Sequence, residues 1–179
     1  IADAKVLVKA FEDAADDAAK AEAIGKAADA LVGEKPGSPA GGMLAPVVKK
    51  GLEADPENKS GLKLRSLTAL MKSGNADATM FDAAEELDPK NEHGLYEMSL
   101  VGRFATTRPN DLEALKGLLT KVDEFDKMDA AKDTEIVTQL YINSAWCYHR
   151  FLNDNEKAGA YAQKLVDMGA VEKEPRLKG

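Results

Sequence analysis

The side chains able to do chemistry in this chain are few, and their spacing works against them. There is one cysteine, Cys147, and there are two histidines, His93 and His149. Two positions apart on a helix is about 200° of rotation, so Cys147 and His149 cannot act as nucleophile and base for each other. A lone cysteine excludes an intrachain disulfide, and one thiol with two scattered histidines has no zinc spacing. Carboxylates are plentiful, but sequence neighbours such as Glu85 and Glu86 diverge on a helix. Asp123 and Asp126 can share a face and read as a solvated acidic patch. Asn153-Asp154-Asn155-Glu156 carries calcium-like oxygens, yet it is too short for a calcium loop and reads as a helix cap. There is no Gly-rich phosphate loop and no nucleophile elbow. The expectation is a chain that is not an enzyme and has no metal site and no cofactor, with Cys147 buried in an apolar helix over 142–151.

The elements around these residues read as helices throughout. Apolar residues recur at steps of three and four over 3–32, as one helix or as two that break between Asp16 and Gly25. Residues 33–42 (Gly33-Glu34-Lys35-Pro36-Gly37-Ser38-Pro39-Ala40-Gly41-Gly42) read as a flexible Gly/Pro loop and an internal boundary. A stripe over 44–54 holds Pro46 in its first turn. Helices follow over 58–73 and 75–87, then 92–104 and 111–125, with Asn58, Asn91 and Asn110 expected as caps. A charged connector spans 126–133. The last pair covers 134–152 and 154–168. This gives an Ala-rich helical segment at 1–32, a loop at 33–42, a helical repeat domain at 43–170 and a charged tail at 171–179.

One feature organises these helices. Asp55-Pro56-Glu57-Asn58-Lys59-Ser60-Gly61-Leu62 returns 33 positions later as Asp88-Pro89-Lys90-Asn91-Glu92-His93-Gly94-Leu95. A fixed period of this size marks stacked helical hairpins. The period extends into the helices. Leu62, Ser66, Ala69 and Ser73 share a face and map onto Leu95, Ser99, Gly102 and Thr106; Val48 and Gly51 map onto Phe81 and Ala84. Small residues at these points let helix backbones approach closely.

This pattern resembles the tetratricopeptide repeat family over about 43–105, and more loosely over 134–168 with Ala145, Ala158 and Ala162. The matching features are the small residues Ser66 and Ser99, the large-then-small pair Phe81 and Ala84, and the two Asp-Pro-x-Asn links. The chain departs from the family in a period one residue short and in Asp77, which stands at or beside the place of the usual alanine. The resemblance implies an all-α fold of stacked antiparallel hairpins in a short right-handed solenoid. It also implies protein or peptide binding on the concave face. The competing reading is a helical bundle that happens to use Asp-Pro-x-Asn loops.

Charge narrows the partner. A net charge of −7 repels phosphate backbones, so no nucleic acid is expected. No apolar run approaches the length of a membrane span, so no membrane insertion is expected in these residues. On the helix face away from the small-residue seam, Lys63, His93, Tyr96 and Arg103 form a mixed basic and aromatic strip suited to an acidic peptide or a chain carboxylate. The reading is a non-catalytic binding scaffold; the alternative is a helical spacer or oligomerisation domain of a larger protein. The chain begins at Ile1 rather than Met, read as a mature or shortened N-terminus, so cytoplasmic and exported locations both stay open. Charge reversal at Lys63 or Arg103 is expected to weaken capture of an acidic partner in a pull-down while leaving the helical circular dichroism unchanged.

Overall fold

The repeated loop is built the same way twice in the computed structural model, which describes residues 1–170. In the first copy the Asp55 carboxylate accepts from the backbone N–H groups of Lys59 (2.7 Å), Ser60 (3.1 Å) and Leu62 (3.0 Å). In the second, Asp88 accepts from Glu92 (2.7 Å), His93 (3.0 Å) and Leu95 (3.0 Å). Asn58 and Asn91 adopt left-handed backbone, with φ of 53° and 56°, and Gly61 and Gly94 do so at 78° and 75°. Neither asparagine is the residue just before its helix, as the sequence suggested. Each reaches across the loop instead: Asn58 Oδ1 accepts from Leu64 N at 2.9 Å and Asn91 Oδ1 from Glu97 N at 3.0 Å. Aspartate and asparagine therefore share the free amides of the following helix's first turn.

The described residues form nine α-helices, α1 (Ala2–Glu12), α2 (Asp17–Val32), α3 (Pro39–Ala54), α4 (Leu62–Lys72), α5 (Ala78–Leu87), α6 (Leu95–Thr106), α7 (Leu112–Lys127), α8 (Thr134–Arg150) and α9 (Asn155–Asp167), with no strand among them. The all-α expectation holds. Two compact units divide the chain, Ile1–Leu87 and Asp88–Gly179, so the boundary falls at the second repeated loop and not in 33–42. The tail at 171–179 lies outside the described residues.

Several local expectations are corrected. The break in the Ala-rich segment comes at 13–16, earlier than expected, because Asp16 caps α2 by accepting from Ala19 N at 2.8 Å. The Gly/Pro stretch is a loop only to Ser38. Ser38 Oγ accepts from Gly41 N at 2.9 Å, Pro39 takes the first helical position, and Gly41 and Gly42 continue the helix. Pro46 therefore lies inside α3 and not in its first turn, which leaves the Gly42 carbonyl without the amide donor four residues on. The cap of α7 is Asp111, not Asn110: Asp111 Oδ1 accepts from Ala114 N at 3.1 Å.

Within the first unit, α2 and α3 form a hairpin and α4 packs against both, with α1 on α2 and α3 and α5 on α4. Small residues set these distances. A Cβ on Gly51 of α3 would strike Ser66 Oγ of α4 and lie 3.1 Å from Ile24 Cγ2 of α2. A Cβ on Gly25 of α2 would come within 2.7 Å of the Arg65 guanidinium, which crosses this notch to Asp29. Ser66, Ala69 and Ser73 are fully buried, so the expected seam is an interior seam here. The end of α4 also follows from its sequence. Gly74, at φ 70°, lets Asn75 N donate to Leu70 O (2.8 Å) and Gly74 N to Met71 O (3.1 Å), a C-terminal cap that favours glycine.

In the second unit α8 and α9 make the most extensive contact, α6 packs on α7 and α8, and α7 on α8. The core gathers Leu100, Leu119, Val122, Phe125 and Leu140.

Two outcomes follow from this packing. Gly51→Ala is expected to destabilise the chain by roughly 1–3 kcal/mol through overpacking against Ser66, and Ser66→Ala in the same chain should recover part of it, measured by urea unfolding. Asp88→Ala, which orphans three buried or half-buried amides, is expected to cost roughly 2–4 kcal/mol, read as a lower urea midpoint.

Candidate functional site

The structure divides the four expected binding residues. Tyr96 is interior: it is 9% exposed and stacks on Phe125 with ring centroids 6.0 Å apart. Leu100, one turn further along α6, is fully buried as well. The reason is that α4 and α6 each contact more than one helix, so a face other than the small-residue seam is also covered. Lys63 is half-buried and donates from Nζ to Pro56 O at 2.9 Å, bracing the repeated loop. His93 is exposed and Arg103 half-buried. These residues do not make one continuous exposed strip.

The solvated patch expected at Asp123 and Asp126 is instead a bonded network. Asp126 accepts from the Tyr141 hydroxyl and pairs with Lys164. Asp123 accepts from Tyr161, and more distantly from Tyr148 at 3.5 Å. Lys164 Nζ also lies 5.1 Å from the Tyr161 ring centroid and 5.3 Å from that of Tyr141. Burial pushes the Asp126 carboxyl up, but Lys164 and Tyr141 outweigh it and hold it below the usual range. Burial, helped by Asp123, pushes the Tyr148 hydroxyl up to about 12. The network joins α7 to α8 and α9, and its groups satisfy one another, so it reads as a fastening.

The most promising concave surface lies between α6 and α8. Val101 and Phe104 of α6 line a cleft of about 330 Å³ with Gln139, Asn143 and Trp146 of α8 and with Phe151. Trp146, the one tryptophan, is 57% exposed and meets Phe151 edge-on with centroids 5.1 Å apart. Gln139 Nε2 donates to Asn143 Oδ1 at 3.0 Å. That bond leaves Gln139 Oε1 as an acceptor and Asn143 Nδ2 as a donor beside the apolar wall. Cys147 lines the cleft but is 6% exposed, and burial raises its thiol pKa. His149 is exposed and pairs with Asn155 Oδ1 at 2.8 Å. They do not meet, as the spacing required.

The sequence hides this cleft because 142–151, with Trp146, Cys147, Tyr148 and Phe151, is apolar on nearly every face and reads as a buried helix. The signal was present. Val137, Leu140, Tyr141, Ser144, Cys147 and Tyr148 make the buried stripe of α8 at steps of three and four, and Trp146 falls off it.

None of the protein-family models, curated proteins or solved structures compared with this chain matches it. The reading of the site therefore stands on its geometry. Among the described residues no group of three or more His, Cys, Asp or Glu side chains is placed to hold a metal ion, and no helix is long and apolar enough to cross a membrane.

The network gives a pH prediction. A carboxyl held below its unfolded value lends stability that is present above that value and lost as pH falls through the folded one. Asp126→Asn is expected to cost roughly 1–3 kcal/mol at neutral pH and to flatten the loss of stability below about pH 4, followed by thermal melts across pH.

Proposed function

We propose that the chain is a non-catalytic protein- or peptide-binding module of the tetratricopeptide-like kind, and that the α6–α8 cleft is where a peptide lies. The observation that carries this is the exposed Trp146 beside a Gln139–Asn143 amide pair. A large aromatic ring in water costs free energy unless something covers it. The two free amide atoms complement the C=O and N–H of an extended peptide, while Val101, Phe104 and Trp146 suit one bulky apolar side chain. The tetratricopeptide-like reading draws support from each unit separately. In the first, α4 nests on the α2–α3 hairpin through Gly51 and Ser66; in the second, α6 packs on both α7 and α8. Neither His93 nor Arg103 lines the cleft, so an acidic residue flanking the apolar anchor is expected from the sequence pattern of basic residues alone.

The alternative role, self-association as an oligomerisation domain, has one observation in its favour. Trp146 also borders an apolar groove of about 450 Å³ between α8 and α9, lined by Ile142, Ala158 and Ala162.

Emission from Trp146 separates the two. A panel of extended peptides with one aromatic or Leu anchor and an acidic neighbour is titrated against the protein. Saturable blue shifts at fixed protein concentration are the expected result, lost in Asn143→Ala by tenfold or more in affinity (about 1.4 kcal/mol). A blue shift that instead grows with protein concentration, with no peptide response, indicates self-association and removes the peptide reading.

A further inference from the structure

Glu97 is a carboxylate placed where a carboxylate is least expected. It occupies the α6 position that Leu64 holds in α4, 33 residues earlier, and it is 4% exposed. Both of its oxygens accept from one backbone amide, that of Asp133, at 3.3 and 3.2 Å. Asp133 is the cap of α8, accepting from Glu135 N and Ile136 N. Two residues earlier, Ala131 O accepts from Asn91 Nδ2 at 3.1 Å. The connector between α7 and α8 is thus pinned at two points, by the repeated loop and by the first turn of α6.

The charges that face Glu97 are carboxylates again. Asp88 approaches from the repeated loop and Asp133 from the connector. The nearby cation of the connector, Lys132, is committed elsewhere: its Nζ donates to Asp126 O at 2.8 Å and lies 5.2 Å from the Phe125 ring centroid. No lysine or arginine among the described residues pairs with Glu97 in a salt bridge or hydrogen bond.

We propose that Glu97 is a proton-operated latch: uncharged, it holds the connector and the start of α8 against α6, and when it loses its proton a buried negative charge is added beside those of Asp88 and Asp133 and the latch slackens. Burial pushes the Glu97 carboxyl above the usual carboxylate range, the Asp133 amide and Asn91 pull it back, and the charges of Asp133 and Asp88 add to the rise. The sign follows. A carboxyl raised on folding gives stability that is present below its unfolded value and lost as pH rises through the folded one. Since α6 and α8 are the walls of the cleft, the latch would widen or close it with pH. That consequence rests on the binding reading; the latch itself does not.

Glu97→Gln fixes the side chain in its uncharged form and keeps one acceptor for the Asp133 amide. Urea unfolding of the intact chain and the variant, from about pH 5 to about pH 8, is the test. The expected result is that the two agree at the acid end and that the variant gains as pH rises, with its urea midpoint above that of the parent at the alkaline end. In the parent, exchange of the Asp133 amide, corrected for intrinsic rate, should speed up over the same range, and in the variant it should not. A difference independent of pH, or one that grows toward acid, overturns the latch. Should the variant not fold, the side-chain carboxyl resonance of Glu97 in the parent decides: titration at or below about 4.3 overturns it, and titration above supports it. Peptide binding enters none of these readouts, so a failed peptide titration leaves the latch standing.

Discussion

A buried aspartate that gathers backbone amides is the constraint on which the rest of this structure depends. Asp55 and Asp88 are each followed by proline, and each accepts from amides four, five and seven residues on. Asparagine and glycine in left-handed backbone then let the chain reverse without a clash of side chains. The result is a turn that both ends one helix and fixes the first residue of the next. Because α4 and α6 start at the same point of the same turn, each presents its small residues at the same register from the loop. Packing follows from that register: Ser66 reaches Gly51 only because Leu62 is held where Asp55 puts it.

The two units solve the packing problem with different chemistry. In the first, backbones come close through glycine and serine, and the interior is mainly aliphatic, with Ile24, Leu31, Leu44, Leu67 and Leu70 fully or almost fully buried and Phe81 the one aromatic ring among its buried side chains. All four tyrosines lie in the second unit, and three of them give their hydroxyls to Asp123 or Asp126. A buried tyrosine needs an acceptor for its O–H, and a part-buried carboxylate needs donors. Each requirement meets the other along α7. The same economy is missing at Ser66 and Ser144, whose buried hydroxyls have no partner among the described residues. Their value is small volume and not hydrogen bonding.

Much of this was legible beforehand because its causes are local. The repeated octapeptide, the helical character of every element and the stops at Asp-Pro all follow from backbone preferences within a few residues. The mutual isolation of Cys147 and His149 follows from helix geometry alone. Where local signals competed, the sequence misled. Gly41 and Gly42 look like loop, but a serine cap and a proline at the first helical position pull them into α3. The cap of α7 is one residue later than expected because Asp111, not Asn110, has its oxygen within reach of Ala114 N. The exposed face was the hardest to read. Tyr96 and Trp146 are both large aromatic rings on helices; the apolar stripe of α8 leaves Trp146 off it, but only the packing on α6 shows that Tyr96 is buried against Phe125.

What the residues determined by themselves is the alphabet of turns and helices and the places where helices can touch. These depend on φ preferences, caps and side-chain volume, which act over a turn or two of chain. Only the tertiary structure decided which face of each helix is covered, because that depends on how many other helices crowd it. It decided that Asp123 and Asp126 would bond to tyrosines from two other helices and not to water. It also set Glu97 beside Asp133, 36 residues on, since the two meet only when a connector folds back over the first turn of α6.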